Sequence, residues 1–251
     1  MIFLLCLPNQ RGAVYNKILI LATANILFFN FFYDKCKFLM TTPLKMPTQG
    51  LYAITDSKLL PTDTLLIQVE SALKGGAKLL QYRDKQLKPA QRKQQAIALK
   101  TLCHQYHVPL LINDDLHLAD EIQADGVHLG KQDASLQEAR QLLGANAIIG
   151  ISCYQQLDNA LTMQQQGATY IAFGRFFPSK TKPDASPAPI ALLNQAREQI
   201  KIPIIAIGGI TIDNGKQLIQ AGADMLAVIN NLFGDVEQIQ TKAQHYNQLF
   251  T

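Results

Sequence analysis

After Gly50 the chain alternates between short aliphatic runs and longer stretches in which apolar residues recur at helical spacing. The short runs are Leu51 to Thr55, Lys78 to Tyr82, Pro109 to Asn113, Gly126 to Leu129, Ile148 to Ser152, Tyr170 to Phe173, Ile204 to Ile207 and Met225 to Ile229. They are almost continuously apolar, the pattern of parallel strands buried on both faces. The stretches between them carry one-sided apolar sets, such as Leu65, Val69, Ala72 and Leu73, or Leu157, Ala160, Leu161 and Met163. Asp63, Ser135 and Asp213 are placed to open helices, and Gly75, Gly167 and Gly222 to close them.

Eight strand and helix units within about 200 residues predict an α/β protein, a single-domain (βα)8 TIM barrel over residues 49–251. A doubly wound sheet is the alternative. It is disfavoured because no GxGxxG follows the first strand.

Residues 1–48 do not follow this pattern. The apolar stretch from Lys17 to Phe32 is interrupted by Asn25 and Asn30 and stops short of the roughly 20 residues a membrane span needs. The first positive charge is Arg11, and no small-x-small cleavage site follows the stretch, so it makes a poor secretory signal. Met40 and Met46 lie just before the first strand. The expectation is an extension that is disordered or precedes the true translation start, with a membrane-surface anchor as the alternative.

Composition narrows the function. Hydrophobic residues make up 48% of the chain, enough for a large core, and the formal charge of +4 is spread along it rather than gathered into a nucleic-acid footprint. Small anionic ligands suit this balance better than a polyanion. Cys6, Cys36, Cys103 and Cys153 form no CxxC pair, so reduced thiols in a cytoplasmic protein are expected rather than a zinc site or a disulfide framework.

In such a barrel the catalytic face lies at the carboxyl ends of the strands. Polar residues and glycines collect there: Gln81, Arg83 and Lys85 at strand 2, Asn113, Asp114 and Asp115 at strand 3, and His128 and Asp133 at strand 4. Ser152 ends strand 5, Ser179, Thr181 and Lys182 lie in the loop after strand 6, Gly208 and Gly209 end strand 7, and Ile229 and Asn230 end strand 8. Each group has a plainer reading. Arg83 can pair with Asp84 or Glu70, Asn113 to Asp115 can form a turn and helix cap, and the glycines can serve turn geometry alone. His128, between Val127 and Leu129, is taken as a satisfied core residue. The loop from Gly174 to Pro189 reads as a stiffened lid or as an ordinary solvated loop.

Asp114 and Asp133 supply the oxygen ligands Mg²⁺ prefers and leave positions for water and phosphate oxygens. Arg83, Lys85 and Lys182 can neutralise phosphate charge, and Gly209 with the backbone after strand 8 matches the common barrel phosphate site. Two anion sites imply two phosphorylated substrates. No Ser/His/Asp or Cys/His set is evident, which argues against hydrolysis through a covalent intermediate.

The segments LQYRDK, LLINDD, ADGVHLGKQD, IIGIS, YIAFGRFFPSKTK, PIIAIGGI and GADMLAVI occur in the order and spacing seen in thiamine phosphate synthases, which the chain resembles from about Gly50 to Phe250. The resemblance implies a transferase that condenses hydroxymethylpyrimidine diphosphate with hydroxyethylthiazole phosphate, releasing pyrophosphate. It further implies that Mg²⁺ helps the diphosphate leave, that a pyrimidine cation is stabilised, and that the thiazole nitrogen attacks it. By the same resemblance Gln81, Arg83, Lys85, Asn113, Ser152 and Lys182 hold the pyrimidine diphosphate, with Arg83, Lys85, Ser152 and Lys182 as catalytic residues. Asp114 and Asp133 hold Mg²⁺, and Ser179, Thr181, Gly209, Ile229 and Asn230 line the thiazole phosphate site.

Three residues depart from the family pattern: Ser179 for Thr, Asn230 for Ser, and Lys131 for Gln. Asn230 is bulkier beside the thiazole phosphate, and Lys131 adds positive charge near the metal site. A thiazole tautomerase is the nearest rival, but it has no need of Asp114, Asp133, Arg83 and Lys182. A non-catalytic phosphate-binding barrel is a more distant one. The expected partners are small phosphorylated molecules and a second copy of the chain in a homo-oligomer, with no nucleic acid and no membrane.

Overall fold

The computed structural model describes residues 44–178 and 187–251. The expectations for residues 1–43, and for Ser179, Thr181 and Lys182 in the loop after strand 6, lie outside the described residues.

Eight parallel strands close into a barrel in sequence order. They are β1 (Gly50–Ile54), β2 (Leu79–Tyr82), β3 (Leu110–Asn113), β4 (Gly126–Leu129), β5 (Ile148–Tyr154), β6 (Tyr170–Gly174), β7 (Ile204–Ile207) and β8 (Met225–Val228). Closure is made by β1 against β8, with Gly50 opposite Met225 and Ala53 opposite Val228. The predicted TIM barrel is therefore the observed fold.

Helices follow each strand: α1 (Leu65–Lys74), α2 (Pro89–Gln105), α3 (Leu116–Glu121), α4 (Leu136–Leu143), α5 (Leu157–Gln165), α6 (Ala191–Gln199), α7 (Ile212–Gln220) and α8 (Asn230–Phe233), with α9 (Ile239–Gln248) last. Ser135 opens α4 as expected, in a capping box with Glu138. Two other caps differ from expectation. Thr64, not Asp63, precedes α1, and Thr211, not Asp213, caps α7. The second difference follows from spacing, because Asn214 stands three residues after Thr211 and returns its side chain to the Thr211 backbone. Gly75 is the C-cap of α1, whereas Gly167 and Gly222 lie one residue beyond theirs, at φ 93° and 114°.

The period of two along each strand divides its side chains between two cores. Leu51 and Ala53 of β1 join the outer core against the helices, while Tyr52 and Ile54 point into the barrel with Leu79, Leu111, Ile148, Tyr170, Ile205 and Met225. Met46 packs against this interior cluster. At the amino ends of the strands, Asp125 accepts the backbone N–H of Leu110 (2.8 Å) and Asp224 that of Ile204 (2.7 Å). The interior is thus filled below, and the open cavity is left at the opposite, carboxyl-end rim.

Candidate active site

At the carboxyl-end rim lies a cavity of about 920 Å³. Gln81, Arg83, Lys85, Asn113, Asp114, Asp133 and Ser152 line one part, and Gly209, Ile229 and Asn230 line another. All ten described residues expected in the site therefore share one cavity. His128, Lys131, Arg175 and Tyr154 line it as well.

Arg83 extends just beyond β2 and is held from β1. Its backbone N–H donates to Thr55 Oγ1 at 2.8 Å, Thr55 Oγ1 donates back to its carbonyl at 3.3 Å, and its guanidinium meets Asp56 Oδ2 at 3.2 Å. The expected alternative partners are otherwise engaged. Asp84 accepts the backbone N–H groups of Gln86 and Leu87, and Glu70 takes the Tyr106 hydroxyl and Lys74. Sequence reasoning missed Asp56, whose place beside Arg83 depends on β1 lying against β2.

The Asn113 to Asp115 cluster is both turn and site. Asp115 caps α3 by accepting from Leu118 N at 2.9 Å and pairs with Arg92. Asp114 sits at φ 61°, a conformation costly for a residue with a Cβ and common at functional sites. Its carboxylate lies 3.2 Å from Lys85 Nζ, and its charge acts on the neighbouring Asp133. Burial lifts the Asp133 carboxyl above the ordinary carboxylate range. The nearby charge of Asp114 pushes the same way, against the Gly130 N–H (2.6 Å) and Lys85. Two carboxylates held this close favour a shared proton or a cation between them. Among the described residues no cluster of three or more His, Cys, Asp or Glu side chains forms a complete protein-only metal cage. An ion held by one or two carboxylates plus substrate phosphates and water is the usual arrangement for Mg²⁺, and this pair fits it.

Across the cavity, Gly208 and Gly209 adopt φ 101° and 66°. A Cβ on Gly208 would stand 2.2 Å from Arg175 Cβ, and one on Gly209 would stand 2.3 Å from the Pro178 carbonyl. Both glycines are thus needed for close backbone approach between the β7 end and the segment after β6.

His128 is hydrogen-bonded, as expected of a core histidine, but it also faces the cavity. Its Nε2 lies 2.8 Å from Ser152 Oγ and its Nδ1 lies 2.8 Å from the Tyr170 hydroxyl. A Ser/His pair that the sequence did not suggest is therefore present. Its third member is a buried phenol rather than a carboxylate, which does not stabilise an imidazolium as a hydrolase triad does. The described cysteines, Cys103 and Cys153, are buried, and burial pushes the Cys153 thiol up to about 12.

The thiamine monophosphate synthase family profile matches residues 51–232. The thiamine-phosphate synthase of Nitrosococcus oceani is 52% identical over 202 residues, covering 80% of this chain and 93% of that protein. That of Alcanivorax borkumensis is 50% identical over 203 residues, covering 80% and 94%. Among solved structures, thiamine phosphate pyrophosphorylase from Pyrococcus furiosus matches with a TM-score of 0.73 and 32% identity, over 80% of this chain and 95% of that one.

Proposed function

Since the chain belongs to the thiamine monophosphate synthase family, whose reaction condenses hydroxymethylpyrimidine diphosphate with hydroxyethylthiazole phosphate, we propose how the residues of this cavity divide that work. The carrying observation is the neighbouring carboxylate pair, Asp114 and Asp133, in one cavity, with Lys85 against one of its members and Arg83 on the same rim.

In this reading Asp114 and Asp133 hold Mg²⁺. The ion, when bound, neutralises charge developing on the departing diphosphate. Arg83, with its fork oriented by Asp56, and Lys85 bind diphosphate oxygens, and Lys182 joins them from the loop after β6. Gln81, Asn113 and Ser152 hold the pyrimidine ring. Gly209, Ile229 and Asn230, with Ser179 and Thr181, receive the thiazole phosphate.

Departure of the diphosphate leaves a pyrimidine cation, which the thiazole nitrogen attacks through its lone pair. No group need remove a proton from that nitrogen, so a site without a carboxylate-backed base suffices. Asp114, Asp133 and Arg83 lining one cavity favour this synthase reaction over a thiazole isomerisation, which uses neither metal nor diphosphate. The enzyme works on small phosphorylated molecules. Among the described residues no helix is long and apolar enough to cross a membrane. We further propose a cytoplasmic location and a homo-oligomer, with residues 1–48 contributing no side chain to the catalysis.

Incubation with both substrates, with and without Mg²⁺, tests the assignment. Thiamine phosphate and pyrophosphate are expected in equal amounts only when the metal is present. Equal turnover in excess chelator would overturn the metal assignment, and absence of product with Mg²⁺ would overturn the division of the cavity.

A further inference from the structure

Beneath the pyrimidine side of the cavity, five side chains from five strands form one continuous hydrogen-bonded chain. Gln81 Nε2 donates to the Tyr52 hydroxyl at 2.7 Å, and that hydroxyl lies 2.8 Å from the Tyr170 hydroxyl. Tyr170 lies 2.8 Å from His128 Nδ1, and His128 Nε2 lies 2.8 Å from Ser152 Oγ. Gln81, Tyr52 and Tyr170 are at most 2% exposed, so water does not satisfy a misdirected phenol proton there.

Burial and valence together set the direction of the chain. An amide nitrogen only donates, so Tyr52 accepts from Gln81 and passes its own proton to Tyr170. Tyr170 then donates to His128 Nδ1, which places the imidazole proton on Nε2, where it donates to Ser152. The reverse order, with the imidazole proton on Nδ1 donating to Tyr170 and Tyr170 donating to Tyr52, would leave Tyr52 accepting two bonds and its own proton without an acceptor. Burial holds both phenols neutral by raising their pKa values.

The backbone makes room for this chain. At Gly150 of β5 a Cβ would stand 1.9 Å from Tyr170 Cζ and 2.3 Å from its hydroxyl oxygen. The ring of His128 stacks on that of Tyr170, and Tyr52 meets it edge-on. These contacts fix the three rings that carry the bonds.

We propose that Tyr52, Tyr170 and His128 are positioning residues of a one-way relay that fixes the orientation of the Gln81 amide, with its oxygen set to accept from an amine, and presents Ser152 to the cavity as a donor. The relay thereby selects an aminopyrimidine over an oxopyrimidine. One of the two amide N–H groups of Gln81 is committed to Tyr52, which fixes the way the amide faces, so its oxygen and its second N–H are offered in one set order and the oxygen is the acceptor available to an amine. Ser152 accepts from His128, so its hydroxyl proton is the group it offers. The two ends stand on β2 and β5, three strands apart in the eight-strand barrel. In a 4-aminopyrimidine the exocyclic N–H donors and ring nitrogen N1, an acceptor, likewise lie at opposite ends of the ring. Replacing the amine by a carbonyl puts two acceptors face to face at Gln81, and a site built for one polarity rejects the other strongly.

This inference rests on the placement of the pyrimidine against Gln81 and Ser152 proposed above. The test measures kcat and KM for hydroxymethylpyrimidine diphosphate, and inhibition by its 4-oxo analogue, in the wild-type enzyme and in Tyr170→Phe, Tyr52→Phe, His128→Gln and His128→Leu. The wild type should prefer the amino compound by about 100-fold or more. Tyr170→Phe, Tyr52→Phe and His128→Leu should each reduce that preference to about tenfold or less, chiefly through KM for the pyrimidine, leaving KM for the thiazole phosphate unchanged. His128→Gln, whose amide still accepts at one atom and donates at another, should keep the preference.

Folded Tyr170→Phe or Tyr52→Phe enzyme with the wild-type preference would overturn the relay. A wild type indifferent to amine or carbonyl would overturn it without any variant. Gln81→Ala enzyme with an unaltered pyrimidine KM would instead show that the ring sits elsewhere, a failure of the site assignment.

Discussion

The carboxyl groups of Asp114 and Asp133, on separate loops after β3 and β4, are close enough at the rim of the barrel that the charge of Asp114 adds to burial in lifting the Asp133 carboxyl above its ordinary range. Such a pair is unfavourable when both groups are ionised, and a divalent cation relieves it. Asp114→Ala and Asp133→Ala are each expected to reduce Mg²⁺-dependent turnover by about 100-fold or more while the barrel stays folded. Initial rates over a Mg²⁺ titration, beside a thermal melt, check this. Unchanged rates would place the metal elsewhere.

Asp56 touches Arg83 but is positioned to orient it rather than to bind an anion itself. Asp56→Ala should raise KM for the pyrimidine diphosphate by about tenfold, since an unrestrained guanidinium loses its planar match to phosphate oxygens. KM for the thiazole phosphate should not move. Steady-state kinetics with each substrate varied in turn separates the two.

Asn230 begins α8 at the end of β8 and lines the cavity on the proposed thiazole side. Asn230→Ser, which shortens the side chain and keeps a donor, is expected to change the thiazole KM by about two- to tenfold in either direction with little effect on kcat. A large fall in kcat at constant KM would contradict its assignment.

Gly150 faces the Tyr170 ring at a distance no Cβ tolerates. Gly150→Ala should destabilise the protein by about 1–3 kcal/mol or more, because a packed barrel interior absorbs added volume only by moving side chains off their rotamers. Chemical denaturation with and without the substitution measures it directly.

The capping box of α4 gives a pH-dependent contribution to stability. Hydrogen bonds from the Ser135 backbone and hydroxyl hold the Glu138 carboxyl below its ordinary range. A depressed carboxyl pKa stabilises the fold above the unfolded-state value, and that contribution is lost as pH falls through the lower, folded-state value. Glu138→Gln should therefore shrink the difference between melts at neutral and at acid pH, and an unchanged difference would refute the link.

Much of the barrel is legible in the sequence because strand and helix periods are local properties. The continuous apolar runs mark all eight strands to within a residue or two, and Ser135 with Glu138 marks a helix start within four residues of chain. Where a local signal was ambiguous the reading slipped, as at Asp213, since Asp and Thr are both good caps and only the return bond from Asn214 selects Thr211. The rim positions of Gln81, Asp114, Ser152 and Gly209 were also readable, because a parallel barrel sends every strand end of one sense to one face.

What the chain alone determines, then, is the order of its strands, which residues stand at their carboxyl ends, and which side chains share a strand face. Those follow from short-range periodicity and turn chemistry. Which side chains touch is decided by strand pairing and by closure of the sheet: pairing of β1 with β2 brings Asp56 to Arg83 over 27 positions, and closure brings Tyr52 to Tyr170 over 118. It turned His128, locally a histidine between two apolar neighbours, into a link between Tyr170 and Ser152. No local pattern encodes such contacts, because they depend on the shared register of eight strands and on a glycine at position 150 that leaves space for a ring from the next strand.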